Sequence, residues 1–173
     1  NVSIERVQLL EAYGAEIIFS EGLEGTNGAI VEAQEIMARD GVCFMPYQYG
    51  NEANPRAHYE TTGAEIIRDM PEVDTFVAGL GTGGTLMGVG RRLKEYRNDI
   101  RIIAVAPELD DTIQGLRSLE EGFIPPILDL SILDARVMVC SIDAFASVQG
   151  LLHREAIFAG ISSGSVICAA VKL

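Results

Sequence analysis

The sequence predicts an α/β fold: an open, mostly parallel sheet flanked by helices. Three observations carry that reading. Segments of helical period alternate with short apolar runs along the 173 residues. The run Ile102-Ile103-Ala104-Val105-Ala106 is apolar at every position, as a parallel strand covered on both faces must be. A third apolar run, Phe76-Val77-Ala78, breaks into Gly79-Leu80-Gly81-Thr82-Gly83-Gly84-Thr85 and then into a helical pattern, a strand–turn–helix junction.

Taken in order, the elements begin with a helix over 3–13. Ser3 stands at its N-cap after Asn1-Val2, Glu5 lies in its first turn, and Gly14 closes it. A strand over 15–19 carries Ile17, Ile18 and Phe19, and a helix over 26–39 closes at Gly41 before a strand over 42–46. The stretch from Tyr47 to Pro55 is polar, turn-rich and without period. It divides the chain into a small α/β piece, 1–48, and a larger one, 49–173. The larger piece reads as helix 54–69, strand 74–79, helix 84–96 and strand 101–106. Leu86, Met87, Val89 and Leu93 share the buried face of helix 84–96. A loop with a short helix over 110–120, strand 136–140, helix 143–156, a short strand near 157–160 and helix 163–173 complete the order. The first helix opens with no methionine before it and the last pattern stops without a cap, so the chain reads as a fragment of a longer protein.

Composition narrows the function classes. The formal net charge is −12, from 25 acidic and 13 basic residues, which argues against nonspecific nucleic-acid binding. A small anion remains compatible, since local N–H donors act at contact range where the global field is screened. No apolar run approaches the roughly 18 residues of a membrane span, and Asn1 to Arg6 form no signal peptide, so a cytoplasmic setting is expected. Cys43, Cys140 and Cys168 lack metal-ligand spacing and read as buried packing thiols. His58 and His153 read as helix-surface or structural residues, and Asp110-Asp111 and Glu120-Glu121 as solvated loop charges.

Chemistry concentrates at the glycine-rich junction. Unpaired N–H groups at a helix start carry partial positive charge, and glycines let an anion approach them closely. Thr82 and Thr85 add hydroxyl donors. Two readings follow. Gly79-x-Gly81-x-x-Gly84 matches a dinucleotide fingerprint, with Glu108 as the ribose-binding acid. Alternatively, Gly81-Thr82-Gly83-Gly84-Thr85 forms a cup for one terminal phosphate.

Other segments bear on the choice. Asn51-x-Ala53-Asn54-Pro55, His58-Tyr59-Glu60-Thr61-Thr62-Gly63-x-Glu65-Ile66, Gly81 to Thr85, Gly122-Phe123-Ile124-Pro125 and Gly160-Ile161-Ser162-Ser163-Gly164 occur in this order. Together they resemble the cysteine synthase family, the fold type II enzymes that use pyridoxal 5′-phosphate. The resemblance implies that Gly81, Thr82, Gly83, Gly84 and Thr85 hold the cofactor phosphate and that Ser162 bonds the pyridine nitrogen. A neutral hydroxyl suits an unprotonated ring nitrogen, and a neutral ring suits β-elimination. Read from the residues alone, Ser162 is equally an N-cap of helix 163–173. Gln48 matches the family glutamine that grips the substrate carboxylate; by itself it reads as a loop residue facing solvent.

The implied reaction is β-replacement of an activated serine by a sulfur nucleophile to give cysteine, with an amino-acid substrate, a sulfur donor and a homodimeric assembly. The segment Ile113 to Phe123 is longer than the short glycine-rich loop of many acetylserine enzymes and contains Arg117. It is similar to the B-type branch, whose members include phosphoserine- and thiosulfate-using enzymes. Arg117 is therefore a candidate reader of a dianionic group, with O-phosphoserine ahead of O-acetylserine; the plainer reading pairs it with Glu120 or Glu121 at the surface. Ala156 stands where the family usually has a glycine. The chain's two lysines, Lys94 and Lys172, both fall on helix patterns outside any active-site motif. The Schiff-base lysine is expected upstream of Asn1, so these residues alone are expected to be inactive. The rival classes are a nicotinamide-dependent oxidoreductase domain and a non-catalytic binding module.

Overall fold

Helices with one apolar stripe and strands apolar on both faces can bury those surfaces only in layers, and the larger part of the chain does so. The computed structural model describes residues 3–173, apart from the side chains of Glu24 and Glu121. The chain forms two compact units, Asn1–Pro46 and Tyr47–Leu173. Asn1 and Val2, at the expected helix start, lie outside the described residues.

In the first unit, α1 (Ile4–Ala12) starts after Ser3 and α2 (Gly25–Arg39) follows a 3-10 turn, Gly22–Glu24. Gly14, at φ +79°, ends α1 as expected: its N–H bonds Glu11 O and the Ala15 N–H bonds Leu10 O, the paired bonds of a Schellman motif. The strands expected at 15–19 and 42–46 do not form ladders among the described residues. An extended segment becomes a strand only beside a partner, and neither run has one here. Cys43, expected to be buried, is exposed in that unladdered run, its thiol donating to Asp40 Oδ2 at 3.1 Å. Cys140 is half-buried, and Cys168 alone of the three is buried.

In the second unit, α3 (Ala53–Glu60) and α4 (Thr62–Asp69) replace the single helix expected over 54–69. Thr61 makes the break: its hydroxyl bonds Ala57 O at 2.8 Å, and its carbonyl accepts from Glu65 N at 2.9 Å to start α4. Then come β1 (Thr75–Gly79), α5 (Gly84–Tyr96), β2 (Arg101–Pro107), β3 (Ala135–Val139), α6 (Ser141–Glu155) and α7 (Ile161–Val171). The strands pair in parallel in the order β1-β2-β3, with Phe76 opposite Ile102 and Val105 opposite Val137.

Helices cover both faces of this sheet. On one, Leu86, Met87, Val89 and Leu93 of α5 pack with Ile102 and Ala104 of β2, all fully buried. On the other, Ala144 of α6 and Cys168 and Ala169 of α7 pack with Val105 and Val139. Each large aliphatic side chain so enclosed contributes about 1.5–3 kcal/mol.

No helix forms over 110–120 beyond a 3-10 turn, Leu119–Glu121. Asp110 at φ +63° and Gly115 at φ +96° are left-handed and cannot continue one. Asp111 is also more than a solvated charge. Its carboxylate accepts from the Ser141 N–H at 2.5 Å, at the start of α6, and that bond holds the carboxyl below its ordinary range. Ala156 takes a left-handed φ of +55° as it ends α6. Near 157–160 no strand forms among the described residues.

Candidate functional site

β1 delivers the chain at Gly79 into the glycine loop, and Gly83, at φ +90°, turns it into α5. That left-handed geometry suits a residue without a Cβ. The loop is anchored at both backbone groups of Leu80: its N–H bonds Val105 O and its carbonyl accepts from Arg117 N, each at 2.7 Å. The α5 N-terminus, whose first N–H groups have no carbonyl within the helix to bond, therefore stands fixed at the C-terminal edge of the sheet.

Thr82 has a defined polarity. Its Oγ1 accepts from Asn54 Nδ2 at 3.0 Å and from the Gly84 N–H at 3.2 Å. With both lone pairs engaged, the hydroxyl hydrogen is left to donate elsewhere. Asn54 Nδ2 also donates to Gln48 O at 2.8 Å, so one amide ties the Gln48 backbone to the glycine loop. The Gln48 side chain itself is exposed. Glycine at 84 makes room for that amide: a Cβ there would lie 1.9 Å from Asn54 Oδ1. One turn on, a Cβ at Gly88 would lie 2.1 Å from Pro55 O. Two glycines on one face thus let α3 close on α5.

Ser162 comes to the same place from the opposite layer. A Cβ on Gly81 would sit 3.1 Å from Gly115 O, and a Cβ on Gly115 would sit 3.5 Å from Ser162 Oγ. Gly115 therefore lies within one carbon's reach of both the glycine loop and the serine. α7 starts at Ile161 with Gly160 as its cap and no side-chain cap bond. The alternative of Ser162 as an N-cap is corrected: the helix begins earlier, which places the hydroxyl inside the first turn, half-buried.

Arg117 is not a surface charge. It is 5 % exposed, its guanidinium 5.2 Å from the Tyr49 ring centroid and 4.8 Å from that of Phe123. Those two rings meet edge to face at 5.5 Å. Of its two suggested partners, Glu120 pairs with Arg136 at 2.6 Å, and the side chain of Glu121 lies outside the described residues. Aromatic faces and a weakly hydrated planar cation are compatible in burial, as lysine would not be.

Gly81 to Thr85, Ser162, the Gln48 backbone and the Arg117 backbone are thus gathered at one end of the sheet. Three residues were missed as parts of it. Asn54 stood in a quoted segment without a role. Gly115 gave no signal beyond being a loop glycine. His58 read as a structural histidine, yet its Nε2 lies 3.2 Å from Thr85 Oγ1. The lysines lie elsewhere. Lys94 is bound to Asp134 at 2.8 Å and Lys172 to Asp143 at 2.9 Å. Each is ten residues along its helix from Gly84 or Ser162, about 15 Å at 1.5 Å per residue.

The residues present fit a phosphate-bearing aromatic ligand. A glycine-rich cup lined by donors and a second helix start with a hydroxyl converge near one residue, Gly115. The family model for pyridoxal-phosphate dependent enzymes matches residues 1–173, and the chain belongs to that family. It is 40% identical over 192 aligned positions to cysteine synthase A of Escherichia coli (strain K12) and, equally, of Salmonella typhi. That alignment takes in 99% of this chain and 58% of each relative, so the chain spans a little over half their length. Among solved structures it is similar to O-ureido-L-serine synthase (TM-score 0.89, 36% identity, 98% of this chain and 56% of that one). It is also similar to a cysteine synthase from Entamoeba histolytica (TM-score 0.87, 36% identity, 98% and 53%). A hydrogen sulfide-producing enzyme from Fusobacterium nucleatum is a third (TM-score 0.90, 36% identity, 98% and 60%). Family membership favours pyridoxal phosphate over a dinucleotide as the cofactor. Among the described residues no helix is long and apolar enough to cross a membrane.

Proposed function

We propose that this chain forms the phosphate- and ring-nitrogen-binding part of a cysteine synthase, which replaces the β-substituent of an activated serine by a sulfur nucleophile. The observation that carries the reading is the position of Gly115, close enough to Gly81 and to Ser162 that one added carbon would meet each, which supports reading the two helix N-termini as one site. Bound there, pyridoxal 5′-phosphate would supply an electron sink for the substrate α-carbon.

The chain's own residues have separable tasks. Gly81, Thr82, Gly83, Gly84 and Thr85 bind the phosphate by N–H and hydroxyl donors at the positive end of α5. Ser162 donates to the ring nitrogen and keeps it neutral. Gln48 takes the substrate carboxylate with its amide, on a backbone that Asn54 holds against the loop. Residues 1–48 belong to a smaller subdomain and 49–173 to the phosphate-binding domain. Pairing as a homodimer, which rests on the resemblance, and a cytoplasmic setting belong to the same proposal.

Arg117 takes an anionic group on the serine donor, so O-phosphoserine is favoured over O-acetylserine. Its backbone meets Leu80 beside the loop, and Tyr49 and Phe123 fix its plane. The test uses the longer protein that contains this chain. Arg117→Ala should lower kcat/KM for O-phosphoserine about 100-fold and for O-acetylserine less than threefold, the first corresponding to about 3 kcal/mol of lost charge-assisted bonding. Equal losses on the two donors would remove Arg117 from substrate selection.

A further inference from the structure

Three polar side chains form a line into the glycine loop. Thr62 Oγ1 lies 3.2 Å from His58 Nδ1, and His58 Nε2 lies 3.2 Å from Thr85 Oγ1. Thr62 starts α4, His58 is in the last turn of α3, and Thr85 is in the first turn of α5. The glycine face of α5 sets this spacing: a Cβ on Gly88 would lie 2.7 Å from His58 Cβ, so any larger residue would push the imidazole away. All three side chains are half-buried, where hydrogen bonds are less diluted by water than on an open surface.

A neutral imidazole has one donor and one acceptor nitrogen, and each flanking hydroxyl can rotate to suit. The row therefore has two self-consistent directions. In one, Thr85 donates to His58 Nε2 and has no hydrogen left for a ligand. In the other, Thr62 donates to Nδ1, the Nε2–H donates to Thr85 Oγ1, and the Thr85 hydrogen points onward. A bond to a dianion is roughly twice as strong as a neutral one, so a phosphate in the loop selects the second direction. Thr82 is already committed as a donor by Asn54 and the Gly84 N–H. His58 completes the same polarity for Thr85.

We propose that His58 is a positioning residue of the phosphate site: as the Nε2–H tautomer, with its Nδ1 held by Thr62, it orients the Thr85 hydroxyl as a donor to the cofactor phosphate. The inference rests on the cofactor reading above and deepens it.

The test uses the chain labelled with 15N at its two histidines, with His153→Gln to assign His58. Pyridoxal 5′-phosphate is titrated in, and pyridoxal serves as the phosphate-free probe. The phosphate form should drive His58 into the Nε2–H tautomer, and pyridoxal should not. His58→Leu should weaken pyridoxal 5′-phosphate about tenfold and leave pyridoxal unchanged, while His58→Gln, whose amide can still donate to Thr85, should stay within about threefold of the parent. In a Thr85→Val background the same His58→Leu change should cost less than twofold, which a general loss of packing would not reproduce. An Nδ1–H tautomer in the complex, or an equal loss with and without the Thr85 hydroxyl, would overturn the role of His58 alone. Wild-type chain binding pyridoxal 5′-phosphate no better than pyridoxal would overturn the cofactor reading and this inference with it.

Discussion

Side-chain absence at Gly84 has a consequence out of proportion to its size. The space a Cβ would take is filled by the Asn54 amide, which bridges Gln48 O and Thr82 Oγ1. Gly84→Ala must therefore expel Asn54 and release both ends of the bridge. The expected result is a loss of about 1–3 kcal/mol in denaturant unfolding, from forced repacking. Affinity for pyridoxal 5′-phosphate should fall about tenfold, because Thr82 loses an acceptor bond that fixes its hydroxyl. Asn54→Ala should give a similar affinity loss, and the double variant should be little worse, since both act through one bridge. Additive losses in titration calorimetry would refute the bridge. The sequence exposed the glycine-rich run proposed to bind the phosphate because glycines crowd one junction, a local signal. It did not expose Asn54, Gly115 or His58, because their roles arise from neighbours 27 to 47 residues away in the chain, which no local pattern records.

Among the elements, those that bury a stripe or two faces were legible: β1, β2, β3, α5, α6 and α7 lie near their expected positions. Runs that needed a partner absent from their own unit were not, as at 15–19 and 42–46, where apolar content alone gives extended chain without a ladder. The helix expected over 110–120 failed for a local reason, the left-handed Asp110 and Gly115. The same long-range logic operates where strands are tied together. Asp134, just before β3, accepts from the Ile102 N–H at 2.7 Å and from Lys94 of α5 at 2.8 Å. The Lys94 ammonium first, and then the Ile102 N–H, hold its carboxyl below the ordinary aspartate value of about 3.9. A depressed carboxylate stabilises the fold fully above that unfolded value and loses its contribution as pH falls through the lower folded value. Asp134→Asn should thus cost about 1 kcal/mol at pH 7, discounted for solvent screening, and should flatten the fall in stability over the acid interval below about pH 4. Unfolding curves of the two proteins that stay parallel across that interval would contradict the assignment.

On the scale of the whole molecule, the proposed anion site in a chain of net charge −12 requires two helix starts and a few oriented hydroxyls to prevail locally. α5 arrives from one face of the sheet and α7 from the other, and the loop carrying Gly115 and Arg117 closes the space between them. The family of pyridoxal-phosphate dependent enzymes accounts for that convergence, and the division of labour proposed within it rests on Thr82, Thr85 and Ser162 acting as donors. The most direct measurement is the 31P spectrum of pyridoxal 5′-phosphate titrated with the chain. The account predicts a bound dianionic resonance, distinct from the free one, that is lost when Thr82 and Thr85 are both changed to valine. A bound resonance identical in the wild-type and double-valine proteins, or no bound resonance at all, would contradict it.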